Sequence, residues 1–240
     1  GISLILSSLI LSFWFYKKNR EFIPKIKSFG LNYTKSITSL GFKFFVIQIA
    51  VIVIFTTDKI LITQLFGPQH VASYDVVFKL FSVITIVHGI LMAPLWSAYS
   101  DAYHRNDMKW IKKTIKNQLK IYLLIIVATI LLIFLANPII ALWIEKDFIV
   151  SNMLIIAMAL FILVSTWSNI FSYFVNATNQ LNIQIKTSIL AMILNIPLSI
   201  IFVRFLEMGV YGIVLATCVS LSFFAIFGSL QTYKILKGKK

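Results

Sequence analysis

What is scarce in this 240-residue chain narrows its possible roles first. Cysteine occurs once, at Cys218, inside an apolar stretch. A single thiol forms no internal disulfide and suggests no metal site, so Cys218 reads as a small packing residue. Charged residues make up only 12% of the chain, about half of the roughly 25% usual in a water-soluble domain. Acids are rarer still, eight against 22 lysines and arginines, for a net charge of +14. There is no Gly-x-Ser-x-Gly elbow, no His-Glu-x-x-His helix and no phosphate-cradling glycine loop. No external connection is large enough to build a soluble active site. The chain therefore reads as a non-enzyme with no catalytic residues and no cofactor. His88 has no second histidine or carboxylate at metal-ligand spacing, so no metal is expected.

What is abundant is apolar. Residues of hydrophobic type make up 59% of the sequence, gathered into runs of the roughly 20 residues that cross a bilayer as helix. Six complete spans are expected at about Leu40 to Phe66, Val76 to Ser97, Ile121 to Trp143, Met153 to Phe174, Ile185 to Phe205 and Gly209 to Leu230. Gly1 to Tyr16 is also apolar, and Trp14 and Tyr16 form an aromatic belt just before Lys17, Lys18 and Arg20. Its positive charges follow the apolar run, whereas a signal peptide places them before it. This segment is expected to be the end of a span whose beginning, like a preceding part of the protein, is missing.

The basic residues are distributed by connection. The stretch from 17 to 36 holds six lysines and arginines, the loop from 98 to 120 six, the connection from 176 to 186 one and the tail after 231 four. The alternate connections, near Gly67, Glu145 and Glu207, carry few. By the positive-inside rule the basic connections and the C-terminus face the cytoplasm of a multi-pass protein of the cytoplasmic (inner) membrane. Basic residues that flank spans also argue against nucleic acid, which needs a basic stripe on a soluble surface; the partner they indicate is the lipid bilayer. The match to a glycosylation acceptor at Asn176-Ala177-Thr178 falls at a cytoplasmic end and reads as accidental. Pro94, Pro138 and Pro197 mark sites where helices can kink.

Polar residues inside the spans are the candidates for function, because a charge facing lipid costs several kcal/mol. On the first complete span Gln48, Thr56, Lys59 and Thr63 fall within an arc of about 80 degrees, with Asp58 at its edge. Either this face lines a polar cavity, or Lys59 reaches the outer interface and pairs with Asp58. On the next span Asp75 and Lys79 are four residues apart, a spacing that supports a stabilising pair as readily as a substrate contact. Two further stripes follow: Ser165, Asn169, Ser172 and Asn176, then Gln184, Ser188, Asn195 and Ser199. Each suits an interhelical hydrogen-bond seam or a cavity wall, and together they favour a shared hydrated interior.

Several stretches resemble a known family. They are Thr57-Asp58-Lys59-Ile60-Leu61-Ile62, Leu65-Phe66-Gly67, Tyr74 and Lys79; then Pro94-Leu95-Trp96-Ser97-Ala98-Tyr99, Asp101-Ala102 and Arg105-Asn106-Asp107. Asn176 to Gln184 follows, with Ala177 where the family often has glycine, and then Asn195-Ile196-Pro197 and Gly209-Val210-Tyr211-Gly212-Ile213 through Thr217. In this order they resemble the second half of the polysaccharide and O-antigen flippases of the multidrug/oligosaccharidyl-lipid/polysaccharide exporter (MOP) superfamily. The resemblance implies an all-α polytopic transmembrane bundle, the second six-helix lobe of a two-lobed transporter. Residues 1–16 would close the first lobe, 17–38 form a basic cytoplasmic linker, 39–232 the six-helix lobe and 233–240 a basic tail. It also implies that the intact protein flips a polyprenyl-diphosphate-linked oligosaccharide by alternating access, alongside a polysaccharide polymerase and assembly proteins. Candidate cavity residues are Asp58, Lys59, Thr63, Gln48, Lys79, Asn169, Asn195 and Arg204, with Lys59, Lys79 or Arg204 meeting the diphosphate. The alternatives are a drug/cation antiporter of the same superfamily and a membrane-embedded sugar polymerase or acyltransferase; the latter needs a reactive histidine or acid cluster that is not seen in this chain.

Overall fold

Long apolar runs cannot leave backbone N–H and C=O groups unpaired in lipid, and helices satisfy that demand within each segment. A computed structural model of the protein describes residues 2–23, 31–144 and 150–238, and among these there is no strand. The helices are α1 (Ile2–Lys18), α2 (Leu31–Phe66), α3 (Pro68–His104), α4 (Met108–Trp143), α5 (Asn152–Ala177), α6 (Asn182–Arg204) and α7 (Val210–Leu236), with a 3-10 turn at Arg20–Phe22. Six of them, α2 to α7, are long and apolar enough to cross a membrane. Pro24 and Glu145 lie outside the described residues.

The chain divides into two units, residues 1–42 and 43–240. In the first, α1 runs into the 3-10 turn, where Asn19 donates from its backbone to Phe15 O at 2.9 Å and Phe22 packs on Phe15. The second unit contains the remainder of α2 and all of α3 to α7. Within it α5 is the central helix, packed against α3, α4 and α7, while α7 also packs along α6. The sequence of α5 explains its place: Leu154, Ile155, Met158, Phe161, Ile162, Ile170, Phe171 and Phe174 point in all directions and all are buried. A helix apolar all round belongs inside a bundle. On α4, by contrast, Leu124, Leu131 and Phe134 are more than half exposed, as expected of a lipid-facing surface.

Two tight connections correct the expected boundaries. The second complete span begins at Pro68 rather than Val76, and only Gly67 separates it from α2. Gly67 has φ +96 and donates to Thr63 O at 3.1 Å, and Pro68 opens the next helix. Glycine closing one helix and proline starting another use the two residues best suited to those backbone positions. The expected loop from 98 to 120 is instead the ends of two helices joined at residues 105–107. Asn106 takes a left-handed φ of 57, and the Asp107 carboxylate caps α4 by accepting from Trp110 N at 3.0 Å. The lysines of the first turns of α4 lower its hydropathy without lowering its helix propensity. Helices α3, α4 and α6 continue through Pro94, Pro138 and Pro197.

At the end of the bundle that carries the basic connections, Gln180 Nε2 donates to Tyr103 Oη and Gln231 Nε2 donates to Gln180 O, both at 2.8 Å. These contacts tie α3, the α5–α6 connection and α7 together. At the same end Trp96 of α3 tilts over Phe44 of α2 and meets Tyr173 of α5 edge-on.

Helix α7 reaches its neighbours through small residues at four-residue spacing, Gly212, Ala216 and Ser220, all buried. Small residues let helix backbones approach in membranes, where lipid is as apolar as the side chains and packing drives association. A Cβ on Gly212 would sit 2.7 Å from Met208 Cβ and 3.4 Å from Phe202 Cβ. Gly212→Val is expected to destabilise the bundle by about 1–3 kcal/mol through overpacking, read as a lowered unfolding midpoint in detergent. An unchanged midpoint would show that α6 and α7 are not closely docked there.

Candidate functional site

Adjacent helix residues project about 100 degrees apart, and at Asp58 and Lys59 this sends two charges toward different sides of α2. Asp58 is 1% exposed and points toward α6 and α7. Its Oδ2 accepts from the Thr217 hydroxyl at 2.8 Å, and Thr217 Oγ1 in turn accepts from Asn195 Nδ2 at 2.8 Å. Three helices thus contribute one side chain each to a buried polar chain. Asp58 Oδ1 and Asn195 Oδ1 are both buried with no hydrogen-bond partner among the described residues.

A carboxylate withdrawn from water needs a compensating positive charge. The nearest one in sequence is directed elsewhere: Lys59 Nζ lies 2.8 Å from Asp75 Oδ1 on α3. The expected alternative of a Lys59–Asp58 pair is therefore corrected. So is the Asp75–Lys79 pair, since Asp75 is held across to α2. Among the described residues no lysine or arginine pairs with Asp58. The unpartnered Asp58 Oδ1 and Asn195 Oδ1 and the Thr217 hydroxyl are all oxygens, the ligand type of hard cations.

Lys59 faces outward. With Val51, Ile52, Phe55, Thr56, Ile60, Thr63 and Gln64 it lines an open concavity of about 660 Å³ along α2. Thr63 Oγ1 donates to Lys59 O at 2.8 Å, which settles that hydroxyl on its own helix. Phe55 forms the apolar floor, backed by Phe78 of α3 and Phe161 of α5 at ring distances of 6.2 and 5.7 Å.

The structure brings the expected residues together in two groups: Asp58 with Asn195, and Lys59 with Thr63. Gln48 and Lys79 are exposed, Asn169 is partly buried and Arg204 is exposed at the end of α6. None of these four makes a hydrogen bond or ion pair to either group among the described residues. The α6 stripe lies largely inside the bundle, with Gln184, Asn195 and Ser199 buried. Asn195 serves there as a seam to α7, one of the two readings its spacing allowed. Thr217 was legible only as the end of a family-like stretch, and Asp75 only as a partner for Lys79.

Known proteins add an independent view. A protein of Salmonella typhimurium (strain LT2) named as a candidate O-antigen transporter is 22% identical over 204 residues, covering 82% of this chain and 46% of its own length. The chain thus spans about half the length of that curated relative. No solved structure matches it. The MatE family model matches residues 44–201, a stretch that holds α3 to α5, most of α2 and α6, and both Asp58 and Lys59; with its apolar spans and buried intramembrane acid, the chain belongs to the MatE family of membrane transporters.

Proposed function

We propose that the intact protein carries a polyprenyl-diphosphate-linked oligosaccharide from the cytoplasmic to the outer leaflet, and that this chain forms one of its two helical lobes. The observation that carries the reading is Lys59, an ammonium group placed on the wall of an open concavity within a span. Diphosphate and sugar hydroxyls cannot cross hydrocarbon unpaired, because each unsatisfied polar group costs several kcal/mol there. Lys59 supplies positive charge to the diphosphate, while Thr56 and Gln64 offer hydrogen bonds to sugar and Phe55 an apolar surface. The name of the Salmonella relative points to the same class of cargo. By the positive-inside rule the basic connections and the C-terminus lie on the cytoplasmic side. Outward movement of each negative charge is then favoured by about 2.3 kcal/mol per 100 mV of inside-negative potential.

The Asp58–Thr217–Asn195 chain supports coupling to a proton or monovalent cation held at Asp58. It also supports a second reading, a drug/cation antiporter of the same family, in which the acid serves a cationic cargo. The two differ in what accumulates. In cells depleted of the intact protein, lipid-linked oligosaccharide is expected to collect in the cytoplasmic leaflet, and Lys59→Ala added back is expected to leave it there, with export reduced about tenfold or more for loss of a charged hydrogen bond. Normal leaflet distribution together with altered efflux of cationic dyes would sink the flippase reading and favour the antiporter.

A further inference from the structure

Asp75 is the counterion of Lys59, and its surroundings offer it a second partner. It lies 2.8 Å from Lys59, in a pair whose side chains are 48% and 32% exposed. The pair is partly accessible, so another anion can reach the Lys59 ammonium. Lys79 follows Asp75 by one helical turn, four residues along α3, within reach of the same carboxylate. Lys79 is exposed and forms no ion pair among the described residues. One carboxylate therefore stands between two ammonium groups, one of which lines the α2 concavity.

We propose that Asp75 is a movable counterion that makes the site selective for doubly charged head groups: it neutralises Lys59 when no cargo is bound and passes to Lys79 when a diphosphate takes its place. The proposal rests on the reading that Lys59 meets the head group. A monoanionic phosphodiester, the head-group linkage of bulk phospholipid, replaces Asp75 charge for charge and gains little. A diphosphate diester is a dianion with more acceptor oxygens, so it competes successfully with the carboxylate for Lys59. Transfer to Lys79 leaves Asp75 paired, which removes the cost of stranding a carboxylate near lipid. Asp75 is in this sense a positioning residue that acts through Lys59. It keeps the lysine from being occupied by the phospholipids that surround the protein in large excess.

The test compares two probes that share a farnesyl chain and an N-acetylglucosamine but are joined by a diphosphate or by a single phosphodiester. Binding to the intact protein in nanodiscs is measured for the wild type and for Asp75→Asn, Asp75→Glu, Lys79→Gln, Lys59→Gln and the Asp75→Asn/Lys79→Gln pair. Asp75→Asn should tighten phosphodiester binding about tenfold and diphosphate binding much less, shrinking the preference, whereas Asp75→Glu should retain it. Lys79→Gln should weaken diphosphate binding about fivefold in the wild type and have no effect in the Asp75→Asn background, the non-additivity that marks a shared partner. An unchanged preference in Asp75→Asn, or equal weakening of both probes, overturns the counterion role; if Lys59→Gln still weakens diphosphate binding, the flippase reading survives that result. No effect of Lys59→Gln on the diphosphate probe overturns the reading and this inference together.

Discussion

Replacing Asp58 with asparagine is expected to abolish the dependence of transport on an imposed sodium or proton gradient while leaving the protein folded. Asparagine has nearly the same shape, and its carbonyl oxygen can still accept from the Thr217 hydroxyl, so the link to α7 and on to Asn195 is kept. What is lost is the charge. Hydrogen bonds to charged groups contribute about 1.5–3 kcal/mol, so affinity for a cation at this position should fall by roughly ten- to over a hundredfold. The measurement is transport by the intact protein in proteoliposomes, with sodium and pH gradients imposed separately. A wild-type response to one gradient that disappears in the variant places coupling at Asp58. A variant that still responds would mean that the cation enters elsewhere and that the buried carboxyl serves only to join α2 to α7.

The largest effect on stability is expected from Phe161→Ala. Phe161 is 4% exposed on α5 and meets Phe55 of α2 nearly perpendicularly, at 86°, and Phe78 of α3 at 42°. Phe78 stacks on Tyr74 within 5° of parallel, so four rings form a continuous seam between three helices. In lipid, burial of an apolar ring brings little transfer free energy, and its contribution comes from dispersion and aromatic geometry. Truncating a buried Phe typically costs about 3–5 kcal/mol, and the lower part of that range is expected here. The change should appear as a lower unfolding midpoint and, because Phe55 lines the concavity beside Lys59, as weaker binding of the diphosphate probe. A Phe161→Leu variant should recover most of the stability. If alanine changes neither quantity, α2 is not held by this seam.

The helices were legible in the sequence because length and hydropathy measure the same property that lipid selects. Their ends were not. Lysines at 109, 112, 113 and 116 interrupt an apolar average, but they are good helix formers, and α4 starts at Met108 all the same. Gly67 and Pro68 carry a turn signal, yet hydropathy alone starts the span at about Val76, whereas the helix already begins at Pro68. Lys59 and Thr63 share one side of α2 and line one concavity. Asp58 falls at the edge of that face by helical spacing, and in the structure it is buried inside the bundle. The partners of both charges are illegible in the sequence for one reason. Each comes from another helix, and a lone threonine in the apolar run of α7, or an aspartate near the start of α3, carries no periodic signal of what it will touch.

The bond from Asp58 to Thr217 spans 159 residues of chain. At synthesis rates of about 5–20 residues per second, Asp58 waits roughly 8–30 s for the hydroxyl that will hold it. During that interval α2 resides in or beside the membrane with a carboxyl group and no permanent partner, and for more than half of it the central helix α5 has yet to be made. The bundle therefore cannot assemble in the order in which it is made. Its first complete span must be chaperoned, by the insertion machinery or by loose association with α3 through the nearby Lys59–Asp75 contact, until the last one arrives. Premature stops in α7 should for that reason expose the nascent protein to membrane proteases.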